Sequence, residues 1–112
     1  MGVYLTAVKQ GDDSVFRPAP VQEFLDNRLI GVYDSEVPTF KVTEEIALIL
    51  SAVQYPVPED GAKLLITFDL HFIRENILYI LREKSVSLPS ETVPFLQFIE
   101  LCITYGYWVG IS

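Results

Sequence analysis

The chain has 112 residues, of which 50% are hydrophobic, so it is long enough and apolar enough to bury one sizeable core. Its formal net charge is −7, from 15 acidic and 8 basic residues, and the basic residues are scattered singly along the sequence. Nucleic acids and anionic lipids attract clustered Lys and Arg, so neither nucleic-acid binding nor membrane binding is an expected function.

The expected compartment is the cytoplasm. The single cysteine, Cys102, cannot form an intramolecular disulfide, which is typical of a reducing environment. No signal-peptide pattern is visible near Met1. Residues 93–111 are mostly apolar and about long enough to span a bilayer, but they include Pro94 and Glu100. A helix followed by a strand explains them better, and we expect one globular domain over residues 1–112.

The first part of the chain predicts a strand, a turn and a short helix. Residues 3–9 alternate and are rich in β-branched and aromatic side chains, which favours a strand. Two prolines in residues 17–20 exclude a helix interior there, and Pro20 suits the first turn of a helix over residues 21–28. Residues 32–42 predict mostly loop, with short extended pieces near residues 32–33 and 39–42.

The next helix is predicted to begin at Thr43. Its hydroxyl can cap the helix, and Glu44 and Glu45 in the first turn suit the exposed amides. Residues 55–61 contain two prolines and Gly61, which predict a loop. The buried stripe of this helix repeats every three or four residues: Ile46, Ile49, Leu50 and Val53.

Residues 63–84 are predicted to be the segment around which the others pack. From Ile73 the apolar spacing changes to three and four, which predicts a helix. An alternative is that residues 77–84 form a second strand in a hairpin, although residues 73–76 lack the Gly or Pro of a tight turn. The preceding part has the period of two that is typical of a strand, with these residues on one side: Ile66, Phe68, Leu70 and Phe72.

The last part predicts a buried helix and a strand. Ser90 or Thr92 can cap the helix, Pro94 fits its first turn, and Gly106 ends it. The helix is apolar nearly all round, which indicates burial. Residues 107–111 then predict a strand. The expected fold is α+β or α/β, with a small sheet of about three strands covered by about four helices.

Residues that could carry chemistry are few. His71 shares a face of the predicted strand with Asp69, so a small enzyme using this pair is one hypothesis, but no nucleophile or pocket accompanies it. Cys102 lies in the most apolar helix, where cysteine usually acts as a small hydrophobe. We therefore predict no catalytic residue, no metal site and no cofactor.

Acidic side chains interspersed with aromatic ones are the most informative pattern. Charge speeds the encounter with a basic protein, and buried aromatic rings supply affinity. The same acidic residues would also simply keep a small protein soluble. The predicted partner-binding residues are Tyr33, Asp34, Glu36, Phe40, Glu44, Glu45, Tyr55, Glu59 and Asp60.

The function expected from these features is a small acidic protein-binding module. Its most concrete form is an inhibitor, immunity protein or antitoxin that neutralises a basic partner, such as a toxin that acts on nucleic acid. The alternative is a non-catalytic structural or accessory subunit, homo-oligomeric through an edge strand that contains Tyr107 and Trp108. Together with Tyr105, these two residues form either part of the core or a second contact surface.

Overall fold

The computed structural model describes residues 3–11, 15–26, 38–58, 63–83 and 90–111. These ranges form five strands and four helices, which confirms the α+β class and corrects the expected number of strands. The additional strands have three or four residues each, too few for a clear alternating pattern. The elements are β1 (Val3–Gln10), β2 (Phe16–Pro18), α1 (Val21–Asp26), β3 (Thr39–Val42), α2 (Glu44–Ala52), β4 (Lys63–Leu65), α3 (Thr67–Glu83), α4 (Thr92–Tyr105) and β5 (Trp108–Ile111).

Strand β1 lies at the centre of an antiparallel sheet with the order β2-β1-β5-β4. Strand β3 pairs with the first half of β1, and β2 pairs with its second half along the same edge. Ala7 lies where the two meet: its N–H donates to the Pro38 carbonyl at 3.0 Å, and its carbonyl accepts from the Ala19 N–H at 2.9 Å. The other elements thus assemble around β1, and the prediction that they pack around residues 63–84 is wrong.

One face of the sheet forms the floor of the core. Leu5 pairs with Ile111, and Ala7 pairs with Val109, so these side chains point the same way, and all are buried. The opposite face carries half-exposed residues such as Thr6 and Trp108. The helices therefore cover the first face. Their fully buried side chains include Phe24, Ile46, Leu50, Leu70, Ile73, Ile77, Phe95, Phe98 and Ile99.

The helix α3 begins six residues earlier than its apolar spacing suggests. The predicted strand over residues 66–72 is wrong, because α3 already begins at Thr67. Phe68 and Phe72, which produced the apparent period of two, are 68% and 38% exposed. The buried stripe is Leu70, Ile73 and Ile77, whose spacing of three and four is that of a helix.

Asp69 explains where α3 starts. Its Oδ2 accepts a hydrogen bond from the Ile66 N–H at 3.0 Å, and the Ile66 carbonyl accepts the first helical bond from the Leu70 N–H. A side chain that reaches back three residues in this way satisfies an amide that the helix leaves unpaired. The helix then runs to Glu83, so the hairpin alternative for residues 77–84 is also wrong over its described part.

The sequence predicts the C-terminal end of α4 correctly but not the residue that caps its N-terminal end. Gly106 ends the helix as predicted, in a left-handed conformation with φ of 73°. Neither Ser90 nor Thr92 caps it: Glu91 is the capping residue, without a side-chain bond to the helix, and the buried Thr92 hydroxyl has no hydrogen-bond partner among the described residues. The helix is buried on one side only, since Val93 is 61% exposed.

Strand β5 lies between β1 and β4, so it is not the free edge that the homo-oligomer hypothesis requires. Tyr107, just before it, is buried against Phe24 and belongs to the core. Trp108 is half-exposed, and its indole N–H donates to Thr67 Oγ1 at 3.2 Å. Of the helices that the structure describes, none combines the length and the apolar character needed to cross a lipid bilayer.

Candidate functional site

Five of the nine predicted partner-binding residues lie outside the described ranges. They are Tyr33, Asp34, Glu36, Glu59 and Asp60. Their part in a binding surface stays a prediction. The remaining four are Phe40, Glu44, Glu45 and Tyr55, and the structure places them in three different environments.

Phe40 belongs to the core, and the prediction that it is an exposed aromatic residue is wrong. Only 3% of it is exposed. Its ring centre lies 6.0 Å from that of Phe95 and 5.8 Å from that of Phe98. The sequence around Phe40 predicts mostly loop, because β3 has only four residues. The pairing of β3 with β1 places Phe40 in the core. Phe40 therefore cannot contact a partner without unfolding.

Glu44 and Glu45 are exposed in the first turn of α2, as predicted. Thr43 caps this turn, accepting a hydrogen bond from the Ile46 N–H at 3.2 Å through its hydroxyl. The positive end of the helix dipole favours both carboxylates there. No ion pair joins either carboxylate to a Lys or Arg within the described part of the chain.

Glu91 brings a third carboxylate to this end of α2. It precedes α4, and its carboxyl group lies within hydrogen-bonding reach of Glu45. That hydrogen bond and the repulsion from Glu91 raise the pKa of Glu45, while the same hydrogen bond lowers the pKa of Glu91. The two carboxyl groups therefore influence each other's ionisation. Sequence analysis missed Glu91 because only the tertiary fold brings two residues so far apart in the chain together.

A shallow groove of about 600 Å³ lies beside Glu44. Its lining is mostly apolar and includes two side chains of opposite charge, Lys41 and Glu44. We call this groove, together with Glu45, which follows Glu44 in the chain, and Glu91, which interacts with Glu45, the acidic groove. The groove is lined by Val3, Lys41, Val42, Thr43, Glu44, Ala47 and Val57.

Leu48 adds an apolar group near the acidic groove. It lies one helical turn after Glu44 on α2, a spacing that places both side chains on the same side of the helix. At 70% exposure it is among the most exposed large hydrophobic side chains of the described residues. A single exposed leucine is common on monomeric proteins, so Leu48 by itself does not indicate a binding surface.

Tyr55 lies at the opposite end of α2 from Glu44, about 13 Å away along a helix of nine residues. Its hydroxyl donates to Asp69 Oδ1 at 2.6 Å, and this bond, with some burial, raises the pKa of Tyr55 to about 12. Its ring contacts Phe72 at 5.6 Å between centres, and the Lys63 ammonium lies 5.1 Å from the ring centre. Tyr55 does not line the acidic groove, although Val57, two residues later, does.

The acid–base pair suggested by the sequence does not form. His71 and Asp69 lie two positions apart on a helix, where side chains do not face each other. Both Asp69 oxygens already accept hydrogen bonds, from Tyr55 and from the Ile66 N–H. The hypothesis of an enzyme built on this pair is therefore wrong in its geometry.

Cys102 lies in the core of the helical layer. It is fully buried, and burial raises the pKa of its thiol, so the reactive thiolate is disfavoured. Groups of three or more His, Cys, Asp or Glu that could hold a metal ion do not occur among the described residues.

Comparison with known proteins finds no relative of this chain. No family model, no curated protein and no solved structure matches the chain.

Proposed function

We propose that the protein is a protein-binding module whose acidic groove receives a basic side chain of a partner protein. The observation that carries this proposal is a mostly apolar groove lined by Glu44, with Glu45 next to Glu44 in the chain and Glu91 within reach of Glu45. Lys and Arg combine an aliphatic stem with a charged end, so an apolar floor with a carboxylate on its rim complements both parts.

The interaction between Glu45 and Glu91 supports the same partner chemistry. Two neighbouring carboxylates repel each other when both are ionised, and a cation placed between them would reduce that repulsion. The net charge of −7 also attracts a positively charged protein over distances longer than a direct contact. Binding a basic partner would therefore be fast and sensitive to salt.

The class of partner that fits best is a basic protein, such as a toxin that acts on nucleic acid. Such a protein carries Lys and Arg in the cleft that binds phosphates, and an acidic module that covers the cleft would inhibit it. Leu48, exposed beside the carboxylates, would supply an apolar contact at the same interface. The proposed activity is thus inhibition by occupation of a positively charged site.

The test is to reverse the charges at the acidic groove. A partner captured by the intact protein in its own cells would be purified and its binding kinetics measured. We expect a Glu44→Lys/Glu45→Lys variant to slow association about tenfold or more, with a smaller effect on dissociation, and higher salt to weaken wild-type binding. An Ala47→Phe variant, which fills the groove without changing charge, should instead speed dissociation.

The matched control is Glu75→Lys/Glu83→Lys, which changes the net charge by the same amount on the exposed side of α3. If only the net charge matters, both double variants should slow association equally. If the partner binds at the groove, Glu44→Lys/Glu45→Lys should slow association more than the control variant does. Equal rates for the two double variants, or binding that does not depend on salt, would rule out the acidic groove as the binding site.

A further inference from the structure

Residues 54–58 connect Tyr55 to the acidic groove. The hydroxyl of Tyr55 donates to Asp69, and its ring contacts Phe72, so this side chain is fixed at the start of α3. Val57, two residues later, lines the acidic groove and packs, partly buried, against the core. We call residues 54–58 the strap, because they run from one of these places to the other.

The strap is stiff over most of its length. Pro56 and Pro58 have fixed φ angles, and a residue that precedes proline is restricted to extended conformations. Tyr55 and Val57 each precede a proline, so four consecutive residues have little conformational freedom. A displacement of Tyr55 would therefore be transmitted to Val57 rather than absorbed between them. The residue about which the strap can turn is Gln54.

Gln54 is held in a strained backbone conformation. Its φ is 70°, in the left-handed region, which is unfavourable for side chains with a Cβ. Of the described residues other than glycine, only Gln54 has a positive φ. This conformation lets the Gln54 N–H bond to the Ser51 carbonyl at 3.2 Å and the Tyr55 N–H bond to the Leu50 carbonyl at 2.8 Å. The two bonds end α2 and direct the chain into the strap.

The end of α4 contains the same turn without the strain. The two hydrogen bonds have the same lengths there, 3.2 Å and 2.8 Å, but the left-handed residue is Gly106. In each turn the next residue is a tyrosine whose hydroxyl donates to a carboxylate, as Tyr107 does to Glu23. The turn after α2 lacks the glycine, so its geometry depends more strongly on what holds its tyrosine, Tyr55.

We propose that the Tyr55–Asp69 hydrogen bond holds the strap closed and that the closed strap places Val57 in the wall of the acidic groove. Tyr55 and Asp69 are thus positioning residues, which shape the groove without lining it. The strain at Gln54 favours opening by about 5- to 30-fold, and a hydrogen bond to a carboxylate opposes it by a comparable factor. Loss of one hydroxyl group should therefore change the fraction of open molecules. The part of the strap in binding rests on the proposed function, whereas the strap itself is a property of the free protein.

Two thiols in one chain test the strap in the free protein. A Val57→Cys variant introduces a partly exposed thiol in the groove wall, while the buried Cys102 reports global unfolding. With a bulky thiol reagent, adding Tyr55→Phe should raise the labelling rate of the introduced thiol about fivefold, because the strap opens more often. Adding Gln54→Gly as well should return that rate to within about twofold of the rate in Val57→Cys alone, because glycine removes the strain.

The matched control is Gly106→Ala in the same Val57→Cys chain, because it strains the equivalent turn at the end of α4. Its expected loss of stability is similar to that of Tyr55→Phe, so labelling of Cys102 should rise by a similar factor in both variants. The introduced thiol should change less than about twofold with Gly106→Ala. Equal labelling of the introduced thiol in these two variants, or no effect of Gln54→Gly, would overturn the proposal.

Binding kinetics of the captured basic partner separate this proposal from the proposed function. Tyr55→Phe leaves every charge of the acidic groove in place, so it should speed dissociation about fivefold and change association less than about twofold. Glu44→Lys/Glu45→Lys should instead act mainly on association. Unchanged dissociation in Tyr55→Phe would overturn the role of the strap in binding. The absence of any basic partner would contradict the proposed function alone, because the labelling experiment needs no partner.

Discussion

Tyr55 and Asp69 connect the loop that follows α2 to the start of α3. One Asp69 oxygen accepts the Tyr55 hydroxyl, and the other accepts the Ile66 N–H. A single carboxylate therefore determines both where α3 begins and where the aromatic ring of Tyr55 rests. At the residue scale, Asp69 therefore pairs with Tyr55 and not, as predicted, with His71.

Replacing Tyr55 with phenylalanine tests this connection. Tyr55→Phe should lower the free energy of unfolding by about 1 kcal/mol near pH 7, because it removes one hydrogen bond to a charged group that is only partly buried. The folded-state pKa of Tyr55 is about 12, against an ordinary value of 10.0. Its contribution is therefore complete below about pH 10 and is lost as the pH rises towards 12.

Urea unfolding between pH 8 and pH 12 measures this contribution, and the stability of wild-type protein should fall more steeply above about pH 10 than that of Tyr55→Phe. Burial and the hydrogen bond to Glu23 also raise the pKa of Tyr107 to about 12. Because Tyr107 is present in both proteins, the stability of both should show a smaller fall as the pH rises. Parallel curves for the two proteins would show that the Tyr55 hydroxyl has no such role.

The sequence suggests that Phe40 is exposed and that Phe68 is buried, but the structure shows the reverse. Phe40→Ala should cost about 3–5 kcal/mol of unfolding free energy, because it leaves a cavity beside Phe95 and Phe98. Phe68→Ala, at a residue 68% exposed, should cost less than about 1 kcal/mol. Chemical denaturation of the two variants side by side checks the contrast, and a larger loss in Phe68→Ala would contradict the assigned burial.

At the scale of elements, α4 shows how a helix end can depend on one backbone conformation. The Tyr107 N–H bonds to the Cys102 carbonyl at 2.8 Å, and the Gly106 N–H bonds to the Ile103 carbonyl at 3.2 Å. This pair of hydrogen bonds requires a residue in the left-handed conformation, which glycine adopts without strain. The turn then directs the chain into β5, so the position of an inner strand depends on Gly106.

Gly106→Ala should therefore destabilise the protein by about 1 kcal/mol through backbone strain alone, since an added Cβ would meet nothing within 4 Å. Gly110→Ala is the matched control. Its nearest contact would be the Thr6 carbonyl oxygen at 4.0 Å, and it should change stability by less than about 0.5 kcal/mol. Thermal or urea unfolding compares them, and equal losses would mean that left-handed geometry is not the cause.

At the scale of the whole molecule, the core joins one sheet face and all four described helices in one cluster of buried side chains. Cys102 lies within it, fully buried, while the surface carries the net charge of −7. Because the cluster is continuous, we expect the described elements to unfold together rather than one by one. The single thiol can report on this directly.

Cys102 should react with a thiol reagent at a negligible rate in the native protein, because it is buried and its raised pKa disfavours the thiolate. In low concentrations of urea its labelling rate should rise in proportion to the globally unfolded fraction. Phe40→Ala should raise the rate about 100-fold or more without urea, in line with its expected stability loss. Labelling that does not depend on urea would indicate local opening of α4 instead.

The sequence by itself determined the features that depend on neighbouring residues. These include the cap at Thr43, the buried stripe of α2, the stop at Gly106 and the acidic first turn of α2. Helix caps, glycine conformations and the spacing of an amphipathic helix are local, so a short window contains all their causes.

The tertiary structure alone decided which segments lie side by side. The central place of β1, the burial of Phe40 and the approach of Glu91 to Glu45 each depend on residues far apart in the chain. The start of α3 was misjudged because Phe68 and Phe72 are exposed, and an apolar side chain has the same place in a sequence pattern whether it is buried or not. Burial follows from packing against distant elements, which no local window contains.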